Sequence, residues 1–272
     1  MKQVHSDELY NIICQVREKR PLIHCISNIV TVNLCANGLL AIGASPVMAH
    51  HPMEVEEITS KADALVCNMG AMEDLEAMLK AAKKAEALKH PIVIDPVGVA
   101  ASSFRREKCY ELIRESSPTC IRGNVSEIMA IMEGRSMARG VDATSGKIDD
   151  LVGKMEEYAK EHGTILIASG KEDIVTDGNE TFYVANGDPL MAAITGSGCL
   201  SSVILGAVLS VEEKSLSNVK KAALACALIG IAGQKAAGLT RKKEAGTMTF
   251  ENYFIDCLSL LNQTDCEMIE IR

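Results

Sequence analysis

The chain has 272 residues, 47% of them hydrophobic and 3% aromatic, with no tryptophan and a formal net charge of −8. An acidic chain so poor in aromatics lacks the basic face and the stacking platforms of a nucleic-acid binder, so a phosphate ligand has to be met by local donors. Length and apolar content suit one large α/β domain, 1–272.

The first predicted helix covers 5–19 and is closed by Pro21, and "PLIHCI" (21–26) follows as a short apolar strand. "NIVTVNLCANGLLAIG" (28–43) has helical spacing, "SPVMA" (45–49) reads as a strand and "EVEEITSKA" as a helix. "ALVCNMG" (64–70) is a buried strand. "MEDLEAMLKAAKKAEALK" (72–89) is the clearest amphipathic helix, and "PIVIDPVG" (91–98) is a strand stopped by Asp-Pro. A helix over 103–116, a strand over 119–124 and the helix "SEIMAIM" come next. The Gly-, Ser- and charge-rich stretch 134–148 reads as a loop, followed by a helix over 149–162 and the strand "TILIASG" (164–170). "DIVTDG" and "TFYVAN" form a hairpin around "DGNE". Small residues at helical spacing from 198 to 238 predict two close-packed helices, and a last helix covers 248–262. Strands alternating with helices require a mostly parallel sheet with helices on both faces.

None of the ten cysteines forms a C-x-x-C pair, which removes zinc-ribbon and redox-motif readings. The charged N-terminal stretch has no signal-like apolar region. No uncharged apolar run reaches ~18 residues, and "AALACALIGIAG" is too short to span a bilayer. The expected setting is cytoplasmic, with reduced cysteines serving as core.

In a parallel sheet, ligands bind beyond the carboxyl ends of the strands. Polar residues at strand exits are therefore the candidates: Asp95, Arg122, Asn124 and Ser169, with Met48 at the exit of 45–49. In "ITGSGCLSSVILGA" (194–207), Gly196 and Gly198 open a helix whose N-terminus can hold a phosphate. The alternative is a plain Gly-rich turn. Neither a P-loop nor a dinucleotide fingerprint fits the motif. Asn124 and Glu127 share one face of a helix start. They can hold magnesium through water, or they can form a capping box. Arg122, at the end of an apolar strand, calls for an anion. Asp95 either orients a metal shell or caps a turn. His24 reads as a satisfied core histidine, and His50-His51 as a solvated turn. Taken together, an anion cradle, carboxylates and an arginine at one sheet edge suit phosphoryl transfer.

The blocks "HCISNIVTVNLCANGLLAIGASPVMA" (24–49), "VIDPVG" (93–98), "RGNVSEI" (122–128), "ASGKEDIVTDG" (168–178) and "ITGSGCLSSVILGA" resemble hydroxyethylthiazole kinases of the ribokinase-like superfamily over nearly the whole chain. The resemblance implies a three-layer α/β/α fold with a mostly parallel central sheet. It implies ATP- and magnesium-dependent phosphorylation of the hydroxyl of 4-methyl-5-(2-hydroxyethyl)thiazole in thiamine salvage. It also implies a homotrimer with thiazole pockets at subunit interfaces. On it, Met48 and Gly196 contact the thiazole, and Arg122 and Ser169 contact ATP. Asn124, Glu127 and Asp95 organise magnesium, and the glycine turn with Gly198 forms the anion hole. Serine stands at 169 and 197 where the family usually has threonine. Cys199 takes the place where most ribokinase-like kinases resemble each other in having an aspartate base. It is expected beside the acceptor hydroxyl, where a helix N-terminus can lower a thiol's pKa. On this reading Glu127→Ala lowers kcat and weakens magnesium dependence with the fold intact. The alternatives are a kinase for another small alcohol (a hydroxymethylpyrimidine, pyridoxal or a sugar) or a nucleotide-binding protein without turnover. The apolar block around Met48 favours a flat heteroaromatic acceptor over a sugar.

Overall fold

The computed structural model describes residues 4–133 and 145–272. In chain order the elements are α1 (Ser6–Lys19), β1 (Leu22–Ile26), α2 (Val32–Ile42), β2 (Ser45–Val47), α3 (Val55–Lys61), β3 (Ala64–Asn68), α4 (Leu75–Leu88), β4 (Ile92–Asp95) and α5 (Ser103–Arg114). They continue with β5 (Cys120–Asn124), α6 (Val125–Met132), α7 (Ser145–His162), β6 (Ile165–Ser169), β7 (Asp173–Thr176), β8 (Thr181–Val184), α8 (Ser197–Ser210), α9 (Asn218–Lys242), α10 (Thr247–Leu260) and α11 (Gln263–Cys266).

The strands form one eight-stranded sheet in the order β2-β1-β3-β4-β5-β6-β7-β8. The six from β2 to β6 pair in parallel, and β7 and β8 add the expected antiparallel hairpin. Alternation along the strands sorts the core onto two faces. Cys25, Val66, Val93 and Ile167 pack with α1, α2, α8, α9 and α10, whereas Ile26, Leu65, Ile94 and Leu166 pack with α4, α5, α6 and α7. Strands buried on both faces read as continuous apolar runs, which is why their positions were legible.

Three boundaries differ from the sequence expectation. The helix predicted from 28 begins at Val32, because Asn28 closes a turn onto the Thr31 N–H through both its carbonyl (3.1 Å) and its side chain (3.2 Å). Residues Met72–Asp74 form a 3-10 turn ahead of α4. Of the predicted loop 134–148, residues 134–144 lie outside the described residues, and 145–148 already belong to α7. α9 is long and apolar enough to cross a membrane, with mean hydropathy 1.5, contrary to the reading from "AALACALIGIAG" alone. However, 72% of that window is buried inside the protein, as suits a core helix.

His24 is a satisfied core residue, as expected. Its Nδ1 pairs with Thr59 Oγ1 at 2.8 Å and its Nε2 with the Ala49 carbonyl at 2.8 Å, which ties the exit of β2 to α3. A carbonyl only accepts, so Nε2 carries the proton and the Thr59 hydroxyl donates to Nδ1. Burial pushes the His24 pKa down. The unfolded chain therefore binds the proton more readily, and the stability His24 contributes is present above its unfolded value of about 6.5 and is lost as pH falls from there toward the depressed folded value. Between about pH 7 and pH 5, the melting temperature should fall less steeply in His24→Gln than in the wild type. Parallel melting curves would contradict this.

Candidate active site

Because β1 and β3 to β6 run parallel, their carboxyl ends share one edge of the sheet. Register places Asn68 opposite Asp95 and Asn124 opposite Ser169. The N-terminus of α8 arrives over this row. Gly196 caps it in the left-handed region, φ 87°, where a Cβ would meet Thr31 Cγ2 at 2.7 Å, so only glycine fits. A Cβ on Gly198 would stand 2.9 Å from Arg122 Nη1. The guanidinium is thus pressed against the first turn of α8, whose free N–H groups and dipole attract anions.

A cavity of about 820 Å3 opens here. Asp95, Arg122, Asn124, Glu127, Ser169 and the turn Gly196–Cys199 line it at one end. At the other end stand Asn186 to Met191 and the α9 residues Ala225, Ile229 and Gly230. Gly230 lets α9 approach closely, since a Cβ there would lie 2.5 Å from the Asn186 carbonyl oxygen. The cavity brings together every site residue expected from sequence except Met48, which packs half-buried against the core beside it.

Among the described residues no carboxylate lies within ion-pair distance of Arg122, although it is half-buried and lines the cavity. Two carboxylates feel its field from further off. Burial pushes Asp95 up to about 6, and Arg122 only partly offsets this. Burial also raises Asp173, against the same guanidinium. A guanidinium with uncommitted donors facing an open cavity is what an anionic ligand requires.

Asn124 and Glu127 form the capping box that was the alternative to a metal role. Glu127 N donates to Asn124 Oδ1 at 3.0 Å, and Asn124 N donates to Glu127 Oε2 at 2.9 Å. Glu127 Oε1 also accepts from Gly98 N at 2.9 Å, so this carboxylate ties the Asp-Pro-Val-Gly turn after β4 to the head of α6. Glu127→Ala therefore removes two hydrogen bonds to its carboxylate and costs stability as well as any metal contact. Ser169 Oγ donates to the Gly123 carbonyl at 3.2 Å and still faces the cavity.

Among the described residues no cluster of three or more His, Cys, Asp or Glu side chains forms an all-protein metal site. The hard oxygens of Asp95, Asn124 and Glu127 in the cavity lining suit an ion that keeps its waters and takes its other ligands from phosphates, as magnesium does.

Cys199 is buried in the first turn of α8. Asn68 Nδ2 donates to its sulfur at 3.1 Å and Asn28 Nδ2 at 3.6 Å. Asn68 Nδ2 also reaches Asp95 Oδ2 at 3.0 Å, and Ser202 Oγ donates to that same oxygen at 2.9 Å. Burial first, and the Asp95 charge second, push the Cys199 thiol up, and Thr31 with the two amide donors pulls it only partly back. The helix N-terminus therefore does not yield the lowered thiol pKa allowed for from sequence. Near neutral pH the resting group is S–H, because desolvation and a neighbouring carboxylate outweigh the dipole.

Asn28, Asn68, Asp173 and Ser202 were not singled out from sequence. Asn68 ends an apolar strand and meets the strand-exit criterion. The others carry no local signal, since their partners are distant in the chain.

The residues 13–264 match the model of the hydroxyethylthiazole kinase family. The chain is 40% identical to hydroxyethylthiazole kinase 1 of Methanosphaera stadtmanae, over 97% of this chain and 96% of that protein. Its structure superposes on that of the hydroxyethylthiazole kinase from Pyrococcus horikoshii with a TM-score of 0.86 and 34% identity, covering 98% of both chains. A ribokinase-like superfamily protein from Enterococcus faecalis shares the fold at a TM-score of 0.56 and 12% identity, over 94% of this chain and 96% of the other.

Proposed function

The chain belongs to the hydroxyethylthiazole kinase family, and from that premise we propose how its sheet edge performs the reaction. The activity is transfer of the terminal phosphoryl group of ATP to the hydroxyl of hydroxyethylthiazole, which supplies the thiazole phosphate for thiamine synthesis. The fold is the ribokinase-like α/β/α arrangement, and 1–272 acts as one kinase domain.

The observation that carries the mechanism is the uncommitted Arg122 guanidinium against the first turn of α8. Phosphoryl transfer passes through a loose transition state, so its catalysis is mostly positioning and charge neutralisation. The Gly196–Gly198 backbone and Arg122 hold the transferring group from two sides. The nucleotide extends along the cavity past Ser169 toward Asn186, Met191 and α9, where an apolar slot suits a base. Asp95, Asn124 and Glu127 would hold magnesium, which would supply charge neutralisation for the transfer. Gly196 and Met48 bound the acceptor.

The block around Met48 borders the acceptor end. Ile29 (89% exposed) and Val30 (69%) follow directly on Asn28 there. Two bare apolar side chains next to the site support a homotrimer in which a neighbouring copy closes the thiazole pocket. All ten cysteines are free, which supports a reducing, cytoplasmic setting.

With a protonated resting thiol, Cys199 acts by holding the acceptor hydroxyl. Cys199→Ala should lower kcat by about 10-fold, short of the loss of ~100-fold or more expected for an essential general base. Cys199→Asp should stay active, since a carboxylate can accept from the same two amides. An inactive but folded Cys199→Asp would contradict this account. For the reaction itself, ATP and the thiazole alcohol should give ADP and a phosphate monoester in equal amounts by mass spectrometry. ADP without phosphorylated thiazole would refute the assignment.

A further inference from the structure

Asn68 is the last residue of β3, beside Asp95 in register and only 2% exposed. Its amide has every valence engaged. The oxygen accepts from Asn28 Nδ2 at 3.1 Å and from Gly70 N at 2.9 Å, and the nitrogen donates to Asp95 Oδ2 at 3.0 Å and to Cys199 Sγ at 3.1 Å. The amide cannot flip, because the Gly70 N–H needs an oxygen opposite it and the Asp95 carboxylate needs a nitrogen. One side chain thus ties the end of β4 to the first turn of α8. It also presents an N–H to the sulfur, with Asn28 Nδ2 presenting a second at 3.6 Å. With two amides donating to the sulfur, its own S–H remains as a donor.

We propose that Asn68 is a positioning residue of the phosphoryl transfer, whose amide locks Cys199 and Asp95 into one unit and aims the thiol at the acceptor hydroxyl. This rests on the kinase reading above and adds to it a residue that lies outside the family's motif blocks yet bonds to three of them, through Asn28, Asp95 and Cys199. Asn28 supports the amide oxygen and the sulfur together, so it acts in the same unit.

The test is a double-mutant cycle on the full chain, with ATP and hydroxyethylthiazole as substrates. Asn68→Ala should lower kcat by about 10- to 30-fold, with KM for ATP within about twofold of wild type. In a Cys199→Ala background the same substitution should cost about threefold or less, because most of its effect passes through the thiol. Asn68→Asp keeps the volume but loses both N–H donors, and should be at least as impaired as Asn68→Ala. Melting curves show whether each variant is folded. Wild-type kcat in Asn68→Asp, or full additivity in the cycle, would overturn the positioning role. A wild-type protein that fails to phosphorylate the thiazole would instead remove the kinase reading itself, so the two failures are distinguishable.

Discussion

Arg122→Ala should lower kcat/KM for ATP by about 10^3-fold while leaving the protein folded. A cation placed on a transferring phosphoryl group is worth ~10^3 to 10^5 in rate. The lower end applies here because the first turn of α8 shares the load. No ion pair is broken, since among the described residues the guanidinium makes none and lines an open cavity, so the stability loss near neutral pH is confined to the two buried carboxylates that lose its field. Removing it leaves Asp95 and Asp173 without their offsetting charge, and both carboxyls rise further. Arg122→Lys should recover part of the rate, because a point charge returns without the planar fork. Steady-state kinetics with ATP varied, beside a melting curve, decides the matter. Near-wild-type kcat/KM in a folded Arg122→Ala would remove the anion site from this edge of the sheet.

Glu127→Ala should have the next largest effect, and a double one. The carboxylate accepts from Asn124 N and Gly98 N, and both bonds are lost together. Two hydrogen bonds to a charged acceptor put the stability loss at about 2–3 kcal/mol, allowing for exposure of the capping box. For a chain of this size that lowers the melting temperature by roughly 5–10 °C. The Asp-Pro-Val-Gly turn that follows Asp95 is then released, so kcat should fall about 100-fold and the magnesium concentration for half-activation should rise. Titrating magnesium against activity separates the two roles. A stability loss with unchanged magnesium response would leave Glu127 as a purely structural brace.

The strands were readable because burial on both faces makes them unbroken apolar runs. The strand-exit rule then recovered Asp95, Arg122, Asn124 and Ser169 as one row. What escaped was the meaning of long-range pairing. Asn68 stands in plain view after "ALVC", but its partner Cys199 lies 131 positions away and no local pattern links them. Asp173 reads as the start of a hairpin strand, and only the folded sheet sets it facing Arg122. The Asn124–Glu127 spacing was ambiguous in sequence between a cap and a metal site. In the structure the capping box is made, and both residues also line the cavity. For Cys199, the helix dipole that can lower a thiol's pKa is visible in the sequence, whereas its burial and the nearby Asp95, which raise it, are not.

The sheet edge phosphorylates hydroxyethylthiazole in preference to other small alcohols. The most direct measurement is ADP release by the wild-type protein with ATP and magnesium, comparing hydroxyethylthiazole with hydroxymethylpyrimidine, pyridoxal and ribose under the same conditions. The kcat/KM for the thiazole should be at least about 100-fold above each of the others. Equal or greater kcat/KM with ribose or pyridoxal would contradict it.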